Sequence, residues 1–130
     1  CPFNIFDRRL LESKNLNFLK KNKIEIHIRS IFLQGLLLSS TNKKIMKKFR
    51  EFKNLFKNYD YFLKKNKISN LKACLSFVSK YKKIDKIIVG IDSLSQLSKI
   101  YNLKLNKNLN FPTHISSNNN KLIDPRNWKK

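Results

Sequence analysis

Two stretches of this chain constrain its fold more than any other feature, because each leads from an apolar strand into a turn that holds one of the only two glycines. The first, residues 24–38, opens with strict alternation of apolar and polar side chains, the period-two pattern of a strand with two different faces. The second, residues 84–97, has a β-branched run before its glycine, which predicts a strand buried on both faces and then a helix start. Loops between a strand and a helix N-terminus are where α/β proteins bind phosphate. The sequence therefore predicts an α/β fold.

Helical periodicity accounts for much of the remaining chain. Apolar side chains at three- and four-residue spacings predict four helices: residues 10–21, 46–64, 70–81 and 94–101. Ser69 is the predicted N-cap of the third helix, and Ser93 with Gln96 matches a capping box at the start of the fourth. The second helix carries an aromatic stripe, which we interpret as buried core rather than a base-stacking surface because lysines fill its opposite face.

The formal charge of +21 raises the question of a nucleic-acid partner, because polycations release counterions from phosphates. Lysine is spread along the chain and far outnumbers arginine, whereas base readout and two-pronged phosphate contacts prefer arginine. The composition, rich in asparagine and poor in glycine and alanine, is typical of a codon bias toward A and T. A nucleic-acid partner is therefore disfavoured.

Cysteine usage and hydropathy set the expected compartment. Cys1 and Cys74 provide neither a disulfide framework nor a metal-ligand spacing, and Cys74 fits the apolar side of a helix as a small core residue. No apolar run approaches the ~18 residues of a membrane span, and no signal peptide is recognisable. We expect a reduced, cytoplasmic setting, with no metal site and no membrane partner.

Three motifs follow one another along the chain: residues 2–9 read PFNIFDRR, residues 29–35 read RSIFLQG, and residues 90–97 read GIDSLSQL. In this order and at these separations they resemble the ends of the sixth, seventh and eighth strands of the aldo/keto reductases, a family of NAD(P)H-dependent oxidoreductases. The resemblance implies a (β/α)8 TIM barrel, which needs roughly 200 residues or more. It therefore implies that this chain of 130 residues is an incomplete C-terminal portion, about strands 6 to 8 with their helices.

The resemblance also implies a division of the chain. Residues 1–101 would be the C-terminal part of the barrel, and residues 102–130 an irregular tail that docks on it. Trp128 is expected to bury against the barrel wall, and Arg126 to pair locally. The missing N-terminal half of the barrel is then an expected partner of this chain.

Arg29 occupies the position at which the family usually has an aromatic residue stacked on the nicotinamide ring. Alternation along the strand separates two sets of side chains: Ile24, Ile26 and Ile28 on one face, and Glu25, His27 and Arg29 on the other. In a barrel the isoleucines would pack outward on helices, and the polar set would point inward with Arg29 nearest the mouth. A guanidinium can stack on the ring or hold an acidic substrate group. The alternative is a salt bridge within the barrel, to Glu25 or to an acid in the missing half.

Other residues of the seventh-strand motif acquire cofactor roles through the resemblance. The serine at the position of Ser30 donates to the cofactor pyrophosphate in the family. Phe32 and Gln34 would line the same channel, and Gly35 would let the backbone approach the phosphates closely. The alternative for Gly35 is an ordinary turn glycine.

The eighth-strand motif would bind the adenosine end of the cofactor, through Gly90, Asp92 and Gln96. NADP is the expected cofactor, with NAD possible. Family members specific for NADP often place Arg or Lys shortly after the glycine to hold the 2′-phosphate, and here Asp92 and Ser93 stand there instead.

The family's catalytic tyrosine and its partners come from earlier strands, and none of those motifs occurs here, so no catalytic residue is assigned. The chain is expected to contribute part of the cofactor site of a reductase that transfers hydride to a small carbonyl substrate, and to be inactive alone. Two alternatives stay open: a small basic nucleic-acid-binding module, and a nonfunctional reductase remnant. Salt dependence of RNA binding would identify the first of these.

Overall fold

The computed structural model describes residues 1–12, 14–40 and 42–128. Its helices and strands follow in chain order: α1 Arg9–Glu12, α2 Asn15–Lys21, β1 His27–Ile28, α3 Lys43–Lys48, α4 Lys53–Lys65, α5 Asn70–Ser79, β2 Lys86–Ile87, α6 Leu94–Tyr101 and α7 Asn120–Ile123. Short 3-10 helices connect them: Leu36–Leu38, Arg50–Phe52, Thr113–Ile115 and Pro125–Asn127. The described part of the chain is thus a helix-rich α/β unit with two short parallel strands.

Three chain segments run parallel and side by side. β1 and β2 pair in parallel register: His27 opposite Lys86, and Ile28 opposite Ile87. The residue after β1, Arg29, also forms a parallel bridge with Pro2, and the N–H of Phe3 donates to the Arg29 carbonyl at 3.1 Å. Parallel alignment brings the loops that follow these segments to one end of the unit.

The prediction that the second strand is buried on both faces is wrong. The regular strand is limited to β2, and Ile88 just beyond it is 53% exposed. Within residues 1–12, 14–40 and 42–128, β2 pairs only with β1. Its outer edge therefore has no neighbouring strand in this part of the chain, which leaves an apolar surface open.

Two of the predicted helices are interrupted. The helix predicted over residues 46–64 begins earlier, where the Asn42 side chain caps α3 by accepting the Lys44 N–H, and it breaks at Phe49 before α4. The break lets the Phe49 ring pack edge-on against Phe56, at 6.2 Å between centroids. The helix predicted over residues 10–21 is divided into α1 and α2, and Ser13 between them lies outside the described residues.

Five aromatic rings from three regions of the chain lie at the centre of the core. Phe3 and Phe6 come from the N-terminal segment, Tyr59 and Phe56 from α4, and Phe77 from α5, and all five are almost fully buried. The Phe6 ring lies 5.3 Å from Tyr59, and the Phe3 ring lies 5.1 Å from Phe77. The aromatic stripe of α4 is thus core, as its helical spacing predicted.

The C-terminal tail docks on the rest of the fold. Trp128 donates its indole N–H to the Leu122 carbonyl at 2.9 Å, and its ring packs edge-on against Phe49 at 5.1 Å. Arg126 pairs with Asp124 at 2.7 Å, the local pairing that was predicted. The tail also contributes residues to the core: Leu109, Phe111, Ile115, Leu122 and Ile123. It is therefore part of the same packed unit.

No helix in the described ranges is long and apolar enough to cross a membrane.

Candidate functional site

The loop after β1 holds an unusual backbone conformation. Ser30, Leu33 and Gln34 have φ values of 60°, 47° and 53°, in the left-handed region that side chains other than glycine rarely adopt. The loop is held by the N–H of Leu33, which donates to the Ser30 carbonyl at 2.9 Å, and by burial of the Leu33 side chain. Strained residues of this kind cluster at functional sites, where surrounding packing compensates for their cost.

The two glycines differ in whether the fold requires a glycine at their position. Gly35 follows Leu33 and Gln34 in the left-handed region, with φ +80°. Glycine adopts this conformation without steric cost, so the backbone alone accounts for a glycine here, in accord with the turn-glycine alternative. Gly90 has no such φ, and a Cβ built there meets nothing within 4 Å. Neither the backbone nor the packing of the described residues requires glycine at position 90. The space beside Gly90 is open.

The loop after β2 ends in a capped helix. Ser93 accepts the Gln96 N–H at 3.2 Å, the first bond of the predicted capping box. The second bond differs from the prediction, because the Gln96 side chain accepts from the N–H of Asp92 at 2.8 Å rather than from Ser93. This hydrogen bond fixes Asp92 and Gln96 relative to each other just after Gly90.

A cavity of about 420 Å³, which we call the loop cavity, opens between these two loops. Its lining consists of residues from both: Ser30, Ile31, Phe32, Gln34, Gly35, Leu38, Ile88, Gly90, Asp92 and Gln96. Seven of the eight residues predicted to bind a cofactor are therefore brought together, although about sixty positions separate the two loops. Sequence reasoning missed Ile31, Leu38 and Ile88. The sequence signal that could have identified these three residues is their position next to the two glycine turns.

Arg29 is the predicted residue that lies apart from the loop cavity. It lines a second cavity of about 430 Å³, which we call the arginine cavity. The complete lining is Pro2, Arg9, Arg29, Ser30, Gln34, Ile123, Asp124, Pro125 and Arg126. Ser30 and Gln34 line both cavities, so the two spaces adjoin at the loop after β1.

The polar face of β1 is open in the described part of the chain. Arg29 is exposed and donates to the Ser30 hydroxyl at 3.2 Å. The proposed alternative of a salt bridge to Glu25 is not formed, because Glu25 pairs with His27 and Lys86 instead, each at 3.2 Å. Those two contacts lower the pKa of Glu25, that of His27 making the larger contribution.

The charge of the two cavities differs. Asp92 is the one charged residue lining the loop cavity among the residues described. In the arginine cavity, Arg126 hydrogen-bonds to Asp124, which lowers the pKa of that carboxyl to about 2 and keeps it ionised near neutral pH. The sequence motifs gave no sign of Arg126 at this place, since it comes from the tail.

Other candidate groups do not assemble a site. His114 is exposed, and within the described ranges no group of three or more His, Cys, Asp or Glu could hold a metal ion. Cys74 is fully buried beside Tyr59, with 3.8 Å between the sulfur and the phenolic oxygen. Burial raises the pKa of the Cys74 thiol to about 12, so this sulfur is not a ready nucleophile.

Comparison with known proteins gives no match: no protein-family model, no curated protein and no solved structure is significantly similar to this chain.

Proposed function

We propose that this chain is the C-terminal portion of an NAD(P)H-dependent aldo/keto reductase and that the loop cavity holds part of the dinucleotide. The observation that carries the proposal is the convergence of seven predicted residues on one cavity from two distant loops. The parallel alignment of β1, β2 and the N-terminal segment also fits the order of neighbouring strands in a barrel. The proposed barrel consists of about strands 6 to 8 here and the remaining strands elsewhere.

The residues around the loop cavity fit a dinucleotide. Gly90 leaves open space where any side chain would protrude, which suits the close approach of a phosphate to the backbone. The Ser30 hydroxyl can donate to a pyrophosphate oxygen, since it already accepts from Arg29 and keeps its own proton. The volume of about 420 Å³ lies in the range of ligand sites, which are commonly ~300–1,000 Å³.

The residues of this chain perform only part of the proposed reaction. When bound, a nicotinamide cofactor supplies the hydride that reduces a carbonyl group. The role of this chain is to bind and orient the dinucleotide, through Ser30 on one side and the backbone after Gly90 on the other. Phe32 and Gln34 line the path between them. The acid that protonates the carbonyl oxygen would come from the rest of the barrel.

The charge beside Gly90 bears on which dinucleotide is preferred. NADP is the cofactor proposed from the family, and NAD is the alternative. A carboxylate such as Asp92 can accept hydrogen bonds from the ribose hydroxyls of NAD, but it repels the 2′-phosphate of NADP. A comparison of the two affinities decides between them.

The open side of β2 agrees with a chain that continues its sheet elsewhere. Apolar side chains are exposed just after β2 and along α6: Ile88 at 53%, Ile91 at 42%, Leu94 at 84%, Leu97 at 44% and Tyr101 at 86%. A further parallel strand and its helix would cover them. The proposed partner is therefore the remaining half of the barrel, in a reduced, cytoplasmic protein.

The test is to titrate the protein expressed from the complete reading frame with NADPH and NADH, following cofactor fluorescence, and to assay oxidation of NADPH with aldehydes. We expect micromolar or tighter binding of one dinucleotide. Absence of binding by a folded protein would leave the remnant alternative. Binding of single-stranded RNA with a salt slope of about 0.7 per phosphate contacted would favour the basic module instead.

A further inference from the structure

The arginine cavity is assembled from three regions that are far apart in the chain. Arg9 follows the N-terminal segment at the start of α1, Arg29 follows β1, and Arg126 belongs to the C-terminal tail. Five arginines occur in the whole chain, against a large excess of lysines, so three of five line this one cavity. Guanidinium groups recognise planar oxyanions through paired hydrogen bonds, which lysine cannot reproduce.

Two of these guanidinium groups are already neutralised. Arg9 donates to both oxygens of Asp7, at 2.9 and 2.8 Å, and the Asp7 side chain is only 2% exposed. Arg126 donates to both oxygens of Asp124, at 2.9 and 2.7 Å. Each ion pair lies at the wall of the cavity and contributes little net charge.

Arg29 carries the uncompensated charge. Within residues 1–12, 14–40 and 42–128 it has no carboxylate within ion-pair distance, and its one side-chain hydrogen bond is to the Ser30 hydroxyl at 3.2 Å. Counting Arg9, Arg29 and Arg126 against Asp7 and Asp124 gives three positive and two negative charges, a surplus of one. A single anionic group is the complement of that surplus.

The arginine cavity lies next to the loop cavity. Both share Ser30 and Gln34, and both lie where the loops after the parallel segments meet. A ligand in the arginine cavity is therefore adjacent to a dinucleotide in the loop cavity. The volume of about 430 Å³ accommodates a small organic molecule.

We propose that the arginine cavity binds the carboxylate of an anionic carbonyl substrate, and that Arg29 selects for that carboxylate. The inference rests on the proposed function and adds the substrate class to it. Arg29 acts through a two-pronged contact to the carboxylate, and the Arg9 and Arg126 ion pairs line the cavity beside it. A neutral carbonyl compound of the same size lacks this contact and binds more weakly.

The test compares two ligands of the same planar shape and different charge, 4-carboxybenzyl alcohol and 4-nitrobenzyl alcohol. Both are product alcohols, so they form no imines with lysine, and with NADPH they form complexes that cannot react. Calorimetric titration uses the protein from the complete reading frame, with and without NADPH. We expect the wild type to bind the carboxylate at least about ten-fold more tightly, the worth of one charge-assisted hydrogen bond.

Variants assign the preference to Arg29. In Arg29→Gln the ratio of the two dissociation constants should fall to near one, and Arg29→Lys, which keeps the charge without the planar group, should retain part of it. Arg50→Gln is the matched control, because Arg50 is exposed and lies outside both cavities, and it should keep the full ratio. Melting temperatures identify any variant that fails to fold.

The outcomes separate this inference from the proposed function. Equal affinities in the wild type, or a ratio unchanged in Arg29→Gln, would overturn the inference even if NADPH binds. A preference for the carboxylate in a protein that binds no dinucleotide would support the anion site and refute the reductase. If Arg29→Gln weakens NADPH and leaves the ratio intact, Arg29 belongs to the cofactor and the substrate assignment is wrong.

Discussion

The carboxylate of Asp85 accepts the backbone N–H of Ile26 at 2.7 Å, while the N–H of Asp85 donates to the Ile26 carbonyl at 3.0 Å. The Lys20 ammonium donates to both oxygens of the same carboxylate at 2.6 Å. One aspartate thus joins α2, the chain entering β1 and the chain entering β2. Because it sets the register of the two strands, it also aligns the loops that form the loop cavity.

The first prediction concerns the pH dependence of that junction. Hydrogen bonds from Lys20 and from Ile26 lower the pKa of Asp85 below the ordinary value of 3.8, so its contribution to stability is present above that value. The contribution is lost as the pH falls through the lowered pKa, when the carboxyl is protonated. We expect Asp85→Asn to reduce the free energy of unfolding at pH 7, with a difference from wild type that narrows below pH 3.8.

Urea denaturation between pH 2.5 and 7 measures this difference. Asp60→Asn is the matched control, since among the described residues Asp60 pairs only with Lys64, one turn away on α4, and such surface pairs contribute little. A difference between Asp85→Asn and wild type that stays constant down to pH 2.5 would contradict the assignment.

The second prediction contrasts the two glycines. Gly35→Ala places a Cβ at φ +80° and should destabilise the fold by about 1–2 kcal/mol. Gly90→Ala meets nothing within 4 Å and requires no left-handed backbone, so it should leave stability unchanged or slightly higher. Thermal unfolding of both variants tests this, each serving as the control for the other. Equal losses of stability would show that Gly90 is required by the fold.

The third prediction concerns thiol reactivity. Cys74 is fully buried, and burial raises its pKa to about 12, so it should resist iodoacetamide at pH 8 in the folded protein. Cys1 is exposed and serves as the internal reference. Mass spectrometry of the two peptides after timed labelling, with and without urea, gives both rates. Labelling of Cys74 as fast as Cys1 without denaturant would contradict the packing of α5 against α4.

Features of the fold that are determined by neighbouring residues could be predicted from the sequence. The bounds of α6 and its Ser93 cap were predicted correctly, because a capping serine followed by a helical apolar pattern is decided within one turn. The same holds for Ser69, whose side chain accepts the Lys72 N–H at 3.2 Å. The buried aromatic face of α4 followed from its spacing.

Features decided by distant contacts escaped prediction. Helical propensity gives no reason to break the chain at Phe49, which turns because its ring packs against Trp128 from the far end of the sequence. Likewise, the positive φ of Leu33 is compensated by burial of its side chain, and burial is not visible in the local sequence. The exposure of Ile88 also differs from prediction, since a β-branched run does not tell whether a neighbouring strand is present.

In the candidate site, too, features with local causes were predictable and features that depend on distant contacts were not. The two glycine turns were recognisable from the sequence, and parallel pairing of the strands before them explains why the turns share a cavity. Arg9 and Arg126 could not be assigned in this way. They reach the arginine cavity through the turn after the N-terminal segment and through the docked tail, whose places depend on packing of the whole unit.

The measurement that tests the central claim most directly is a fluorescence titration of NADPH against Ser30→Ala and Gly90→Val, each in the protein from the complete reading frame. Loss of one hydrogen bond to a phosphate should weaken binding by about 1.5–3 kcal/mol in Ser30→Ala. Gly90→Val should weaken it further, because its side chain fills the space beside the loop. Ser79→Ala, outside both cavities, should bind like wild type. Wild-type affinity in both site variants, with unchanged melting temperatures, would contradict the claim that the loop cavity holds the dinucleotide.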